Sequence, residues 1–429
     1  MVLVGRVVRL ARITLSSVAW GESAVDAFER RIVASVDSGR LIARLKGLLG
    51  YPSFSASEGE TALAKWVAST AQESPGLRVE LSATPQGRPS VLLRVGGADD
   101  RYGLMLNGHI DTNMVSLGWT RDPFAGECDD VFIYGIGVSN MKAAVAAMWE
   151  AATTIAAAGL DLERGLMAAF VCGELQGGVG TKHLIEQGVR SDFFIVGEPT
   201  DLAVLTRHAG AFSVDVEVRG EMRHMSKAEE GVNAILLAGH VLEAFEAAYG
   251  VTAGADGLTR INVGAVRGGT GPEMQEWRSA MVADRCVARV ACRIEPGDTP
   301  ARFVAHLQAM AERAIAGRGG HVEVSMADQG QRLVMGPFDV PRNDPFVSLV
   351  GACYRDVTGT EPIIGEVAPY KYYGTDGSHL RDAGMVGVVC GPGGKYNTMP
   401  DERVEIADIV AAAKLYTLAA LRTCAPRRT

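Results

Sequence analysis

Apolar positions along the chain keep two periods in turn, and the changeovers divide the sequence into three stretches. In residues 41–49 and 58–71 apolar side chains recur three and four apart, predicting two amphipathic helices, the second entered through Ser55 and Ser57 as caps. Short β-prone runs follow at 77–81, 90–95 and 104–107, separated by Gly, Pro and Asp turns. A loop at 119–124, marked by its Asp-Pro step, leads to a strand at 131–134. An alanine-rich helix over 142–158 is stopped by Gly159. A strand at 166–172, a short helix at 181–187 and a buried strand at 193–196 complete the stretch. This alternation predicts a mostly parallel sheet with helices on both faces.

From about Thr206 the period shortens to two. Phe212, Val214, Val216 and Val218 alternate with Ser213, Asp215 and Glu217, the mark of a half-exposed strand. A helix at 233–248, strands at 260–266 and 286–294, a helix at 299–316 and a strand at 321–326 give the order β-α-β-β-α-β of a ferredoxin-like unit. After about Gln329 the first style returns, with a helix at 345–357, a strand at 386–390 and a helix at 406–421. The expected architecture is therefore α/β. A discontinuous domain over 22–205 and 328–429 carries an inserted ferredoxin-like domain over 206–327, behind a disordered leader at 1–21.

Composition narrows the function classes. At 429 residues two domains are the prior. Apolar residues make up 47%, yet no run of eighteen offers a membrane span. A formal charge of -8 and the lack of a basic stripe argue against a nucleic-acid partner. Seven cysteines without a CxxC pair read as free thiols in a reducing, cytoplasmic setting. Arg6, Arg9 and Arg12 interrupt the first twenty residues, which do not read as an export signal.

The candidate chemistry starts where the strand through Leu104 ends in His109-Ile-Asp111. A buried strand that stops at His-x-Asp places an imidazole and a carboxylate at its carboxyl end, where open α/β sheets keep their ligands. One ring nitrogen can then hold a cation while Asp111 orients the ring. The plainer alternative is a turn histidine hydrogen-bonded to a nearby carboxylate.

Eight blocks, taken in order, resemble the M20 metallopeptidase family, which includes acetylornithine deacetylase, succinyl-diaminopimelate desuccinylase, aminoacylase and carboxypeptidase G. They are residues 108–111, 119–124, 134–142, 173–181, 196–200 and 224–234, Thr375-Asp376, and 399–402. The resemblance covers nearly the whole chain from about Ser35. It implies a zinc-binding α/β domain, an inserted dimerisation lid and hence a homodimer acting on a small amino-acid-like substrate. Carried across position by position, the family's first zinc set falls on His109, Asn140 and Glu198, and its second on Asn140, Leu175 and Thr398. Leucine cannot ligate zinc, and an asparagine bridge brings no charge to hold two dications. Asp111, Glu174, His224 and Arg293 match retained positions: Glu174 is implied as general base, His224 as the oxyanion donor reaching a partner subunit. Family residues that contact substrate are replaced by Ser378, Ala280 and Ile136.

These matches lead to a set of expectations. No cofactor is expected, or at most one zinc on His109, Asn140 and Glu198. Crowded together, Asp111, Glu174 and Glu198 should keep at least one carboxyl protonated near neutrality. Catalytic work falls to Glu174, Asp111 and His224, and substrate contacts to Arg293, Ser378, Asn140 and Thr398. The leading expectation is metal-free acid/base chemistry such as isomerisation, cyclisation, elimination or acyl transfer on an amino-acid or N-acyl-amino-acid-like compound. The alternatives are a one-zinc deacylase or peptidase of acetylornithine deacetylase type, and a non-catalytic binding or scaffolding dimer.

Overall fold

A computed structural model describes residues 26–424, apart from 98–100, 251–256, 276–277 and 329–332. The expected leader at 1–21 lies outside the described residues. An eight-stranded sheet forms the larger body. At its middle, Tyr102–His109 pairs in parallel with Gly165–Val171 on one side and Phe193–Pro199 on the other, and Val386–Gly391 continues the parallel run. The outer pairs Arg78–Ala83 with Pro89–Val95, and Pro89–Val95 with Gly165–Val171, are antiparallel. The sheet is thus mixed, with the parallel part at its centre.

The central strand is buried at every position, which is why its sequence reads as a continuous apolar run. Helix Ala143–Ala157 lies against it and is buried along almost its whole length. Its alanines let it approach closely: a Cβ placed on Gly197 would come within 2.7 Å of the Ala144 Cβ. The one carboxylate in this helix, Glu150, is answered by Arg40 Nη2 at 2.6 Å and Arg44 Nη1 at 3.1 Å. Burial of that charge is tolerated because it is paired and hydrogen-bonded.

Helix ends follow the caps. Ser57 accepts from the Glu60 amide at the start of Glu58–Ala71. Asp344 caps Pro345–Thr358, and Gly359 closes that helix in the left-handed region at φ 76. Helix Ala27–Val33, which the apolar spacing does not predict, is held by an Asp26 capping box with Glu29.

Residues 210–326 build a second sheet of four antiparallel strands in the spatial order Arg260–Gly269, Arg285–Ile294, Gly210–Arg219, His321–Met326. Helices Ala234–Tyr249 and Pro300–Ala314 cover one face, and the alternating Phe212, Val214, Val216 and Val218 point into a core separate from that of the larger body. Among the described residues no helix is long and apolar enough to cross a membrane.

Candidate active site and metal group

Three neighbouring parallel strands end at one place, and each delivers a polar side chain there. His109 closes the central strand, Glu174 follows Gly165–Val171 through a left-handed Gly173 (φ 67), and Glu198 sits near the end of Phe193–Pro199. All three are buried. One ligand atom from each lies within 4.8 Å of the others, and among the described residues this is the one such group of His, Cys, Asp and Glu.

The His109 ring is tightly oriented. Nδ1 lies 2.8 Å from the Asp111 carbonyl oxygen and 3.5 Å from Asp111 Oδ1. Nε2 faces Asn140 Oδ1 at 2.7 Å, Glu198 Oε1 at 3.5 Å and Glu174 Oε2 at 3.9 Å. A ring nitrogen ringed by three oxygens implies an imidazolium or a cation between them. Burial opposes the charged ring, but Glu198 first, and then Asp111 and Glu174, outweigh it and raise the His109 pKa well above the ordinary value.

Asp111 is fixed in turn by the turn it faces: the amides of Glu174 and Leu175 donate to its Oδ1 and Oδ2 at 3.1 and 3.2 Å. Burial acts against its charge, yet the His109 hydrogen bond leads the opposing contributions and its pKa ends below the usual carboxylate value. Burial, reinforced by neighbouring carboxylates, raises Glu174 well above the usual range and pushes Glu198 up to about 7. Asp376, also buried and raised by burial, adds a fourth acid; Thr181 Oγ1 donates to its Oδ2 at 2.8 Å. Glu198 Oε1 and Asp376 Oδ1 are both buried without a hydrogen-bond partner among the described residues.

Four buried acids around one imidazole, one of them with an orphaned oxygen facing that ring, suit a divalent cation. The expectation of a cleft without a cofactor is therefore corrected. It gave weight to the lost donors Leu175 and Thr398, whereas His109, Glu174 and Glu198 still converge as a buried group that could hold an ion.

Of the other candidate residues, Asn140 and Arg293 reach the cleft and Thr398, Ser378 and His224 do not. Asn140 lines the cleft from the irregular turn Val138–Lys142; the amides of Gly137, just before it, and of Ser139 and Asn140 donate to the buried Glu402 carboxylate at 3.3, 2.7 and 3.1 Å. Arg293 lines it from the smaller sheet, with Nε donating to the Tyr372 carbonyl at 2.7 Å. Thr398 lines an adjoining cavity. Ser378 is buried in Gly377–Asp382 and donates to the Thr375 carbonyl at 3.0 Å, outside both cavities. His224 is exposed, its Nδ1 3.0 Å from Ser226 Oγ, and takes no part in the site of its own chain. Lys142 is buried, donates to the Tyr51 carbonyl at 3.0 Å, and is lowered to about 7 by burial.

Sequence reasoning missed a brace behind the site. Glu60 and Arg88 form a buried two-point pair at 2.8 and 2.9 Å, Glu60 Oε1 accepts the Gly173 amide at 2.9 Å, and Arg88 also donates to Gln176. One signal was present: Glu60 occupies the apolar stripe it shares with Leu63, Ala64 and Val67. Tyr373, also missed, lines the first cavity with its phenol pushed up to about 12 by burial.

Comparison with known proteins places this geometry. A family model described as peptidase family M20/M25/M40 matches residues 105–422. An acetylornithine deacetylase from Edwardsiella ictaluri (strain 93-146) is 26% identical over 395 residues, covering 88% of this chain and 96% of the relative. Among solved structures, a tripeptidase from Staphylococcus aureus aligns with TM-score 0.72 at 20% identity, over 90% of this chain and 98% of that one. A Bacillus subtilis protein described as a dinuclear metal-binding peptidase from the M20 family aligns with TM-score 0.62 at 16% identity, over 90% and 98% of the two chains.

Proposed function

The chain belongs to peptidase family M20/M25/M40, and from that premise we propose that it is a metal-dependent deacylase acting on a small N-acyl amino acid, of acetylornithine deacetylase type. The observation that carries this reading is the convergence of His109, Glu174 and Glu198 at the carboxyl ends of three adjacent parallel strands. Near full-length similarity to an acetylornithine deacetylase supports the substrate class.

His109 and Glu198 would hold the cation, which supplies Lewis acidity to the scissile carbonyl. Glu174 is the proton carrier. It lies beside the two ligands, with Oε2 3.9 Å from His109 Nε2, where it can take a proton from the attacking water and return it to the departing amine. Asp111 holds the imidazole in one orientation through Nδ1. Arg293, across the cavity, pairs with the substrate carboxylate. His224, exposed and remote, serves the site of a second copy in a homodimer and donates to the developing oxyanion there. Seven free cysteines, six of them buried, support a reducing, cytoplasmic setting.

Elemental analysis of protein purified without added metal, together with hydrolysis of N-acyl amino acids, tests the reading. About one equivalent of a divalent cation per chain is expected, held by His109 and Glu198 with Glu174 beside it. Removing it with a chelator should lower kcat/KM by roughly 100-fold or more, since Lewis-acid stabilisation is worth several kcal/mol. Turnover that survives full removal of metal would overturn the proposal.

A further inference from the structure

Two cavities of about 160 Å3 each adjoin the site and share Asn140 as a common wall. The first contains Glu174, Glu198 and Arg293. The second opens on the other side of Asn140 between Thr112, Met114, Trp119, Ile136, Thr398 and Met399. Pockets for small molecules start at roughly 300 Å3. Neither cavity reaches that size alone, and their summed volume does. Asn140 lines both, so a ligand with its reacting carbon at the His109 group and its carboxylate on Arg293 would enter the second cavity by extending past Asn140.

Four residues of the second cavity's lining are apolar, and Thr112, Asn113, Ser116, Asn140 and Thr398 add uncharged polar groups. Met114, Trp119, Ile136 and Met399 give it apolar walls. Among the described residues its lining includes no Lys, Arg or His. The one charged residue is Glu402, and the oxygens of that carboxylate are taken up by the amides of Gly137, Ser139 and Asn140. An acyl group ending in a second carboxylate would meet no cation there and would face a buried acid. A plain hydrocarbon chain meets methionine and indole surface, and two of its walls can adjust: Met114 is 72% exposed and Met399 40%.

We propose that this second cavity is the acyl subsite, and that it selects unbranched aliphatic acyl chains longer than acetyl over both acetyl and dicarboxylic acyl groups. The assignment rests on the deacylase reading above. That reading sets which end of the substrate faces Arg293.

The test uses the full-length, metal-loaded protein and one amino acid carrying acetyl, butyryl, hexanoyl or succinyl on its nitrogen. Each methylene beyond acetyl should raise kcat/KM by about fourfold, the value of one buried CH2, until the cavity is full. The succinyl compound should fall below the butyryl one. Met399→Trp, which narrows the mouth at a partly exposed position, should cut the hexanoyl-to-acetyl ratio at least tenfold, and Met399→Ala should preserve or widen it. Calorimetry with the free acids supplies a readout independent of turnover: hexanoate should bind more tightly than acetate, and Met399→Trp should erase the difference. If no N-acyl amino acid is hydrolysed but hexanoate still binds in this way, the deacylase reading fails and the subsite stands. A flat chain-length profile, a preference for succinyl, or a ratio that Met399→Trp leaves unmoved overturns the subsite.

Discussion

Arg88 and Glu60 show how far the chemistry reaches beyond the residues that touch a substrate. Their buried pair holds the Gly173 amide, and so the turn whose next two amides fix Asp111. Arg88→Met should destabilise the fold by about 3–5 kcal/mol in urea unfolding, the cost of stranding a buried carboxylate. The Glu60→Met/Arg88→Met double variant should lose less than the two single variants summed, because it leaves no charge unpaired.

His208 makes a different residue-scale prediction. Buried with Nε2 2.8 Å from Thr375 Oγ1, it is pulled down to about 4, chiefly by burial. Below the unfolded value near 6.5 the unfolded chain takes up a proton that the folded ring refuses, so this residue costs stability as pH falls from about 6.5 to about 4. The wild type should therefore lose about 3 kcal/mol more than His208→Gln between neutrality and pH ~4, measured by chemical denaturation. At this scale the sequence was legible where a motif carried the residue, as for His109, Asp111, Glu174 and Glu198. Residues whose role depends on contacts between distant segments, such as Glu60 with Gly173, 113 positions apart, leave only a charge in an apolar stripe.

At the scale of elements, helix Ala143–Ala157 and strand Phe193–Pro199 fit together only because Gly197 has no side chain. Gly197→Ala would press a methyl against Ala144 and the tips of Met141 and Met148. It should cost about 1–3 kcal/mol through overpacking and shift the strand that carries Glu198. Thermal unfolding reads the first effect; a weaker affinity for added zinc reads the second. Long elements were readable because their period repeats several times: His321–Met326 matches the spacing fully, and Glu58–Ala71 likewise. Two-residue strands such as Val204–Leu205 and Ile364–Gly365 hold no period at all. Ala27–Val33 escaped because three charges in seven residues obscure its apolar stripe.

For the whole molecule, two separate cores meet over one cleft: Arg293 and Ala211 come from the smaller sheet, Glu174 and Glu198 from the larger. If His224 completes a neighbour's site, Glu174→Gln and His224→Ala should each be nearly inactive alone. Mixed after dissociation and reassociation, they should recover about a quarter of the wild-type rate, since half the dimers are hybrid and each hybrid retains one intact site. No recovery despite confirmed subunit exchange would place His224 in the site of its own subunit, and a fully active His224→Ala would place it outside catalysis. The change of period near Thr206 made the two bodies visible in the sequence, whereas their meeting at Arg293 depends on packing that no local pattern records.

The Glu60–Arg88 brace stands upstream of residues 105–422, the stretch that the family model matches. A fragment trimmed to that stretch would carry every candidate ligand and still arrive with its Gly173 amide loose. The smallest working version of this molecule must therefore start no later than helix Glu58–Ala71.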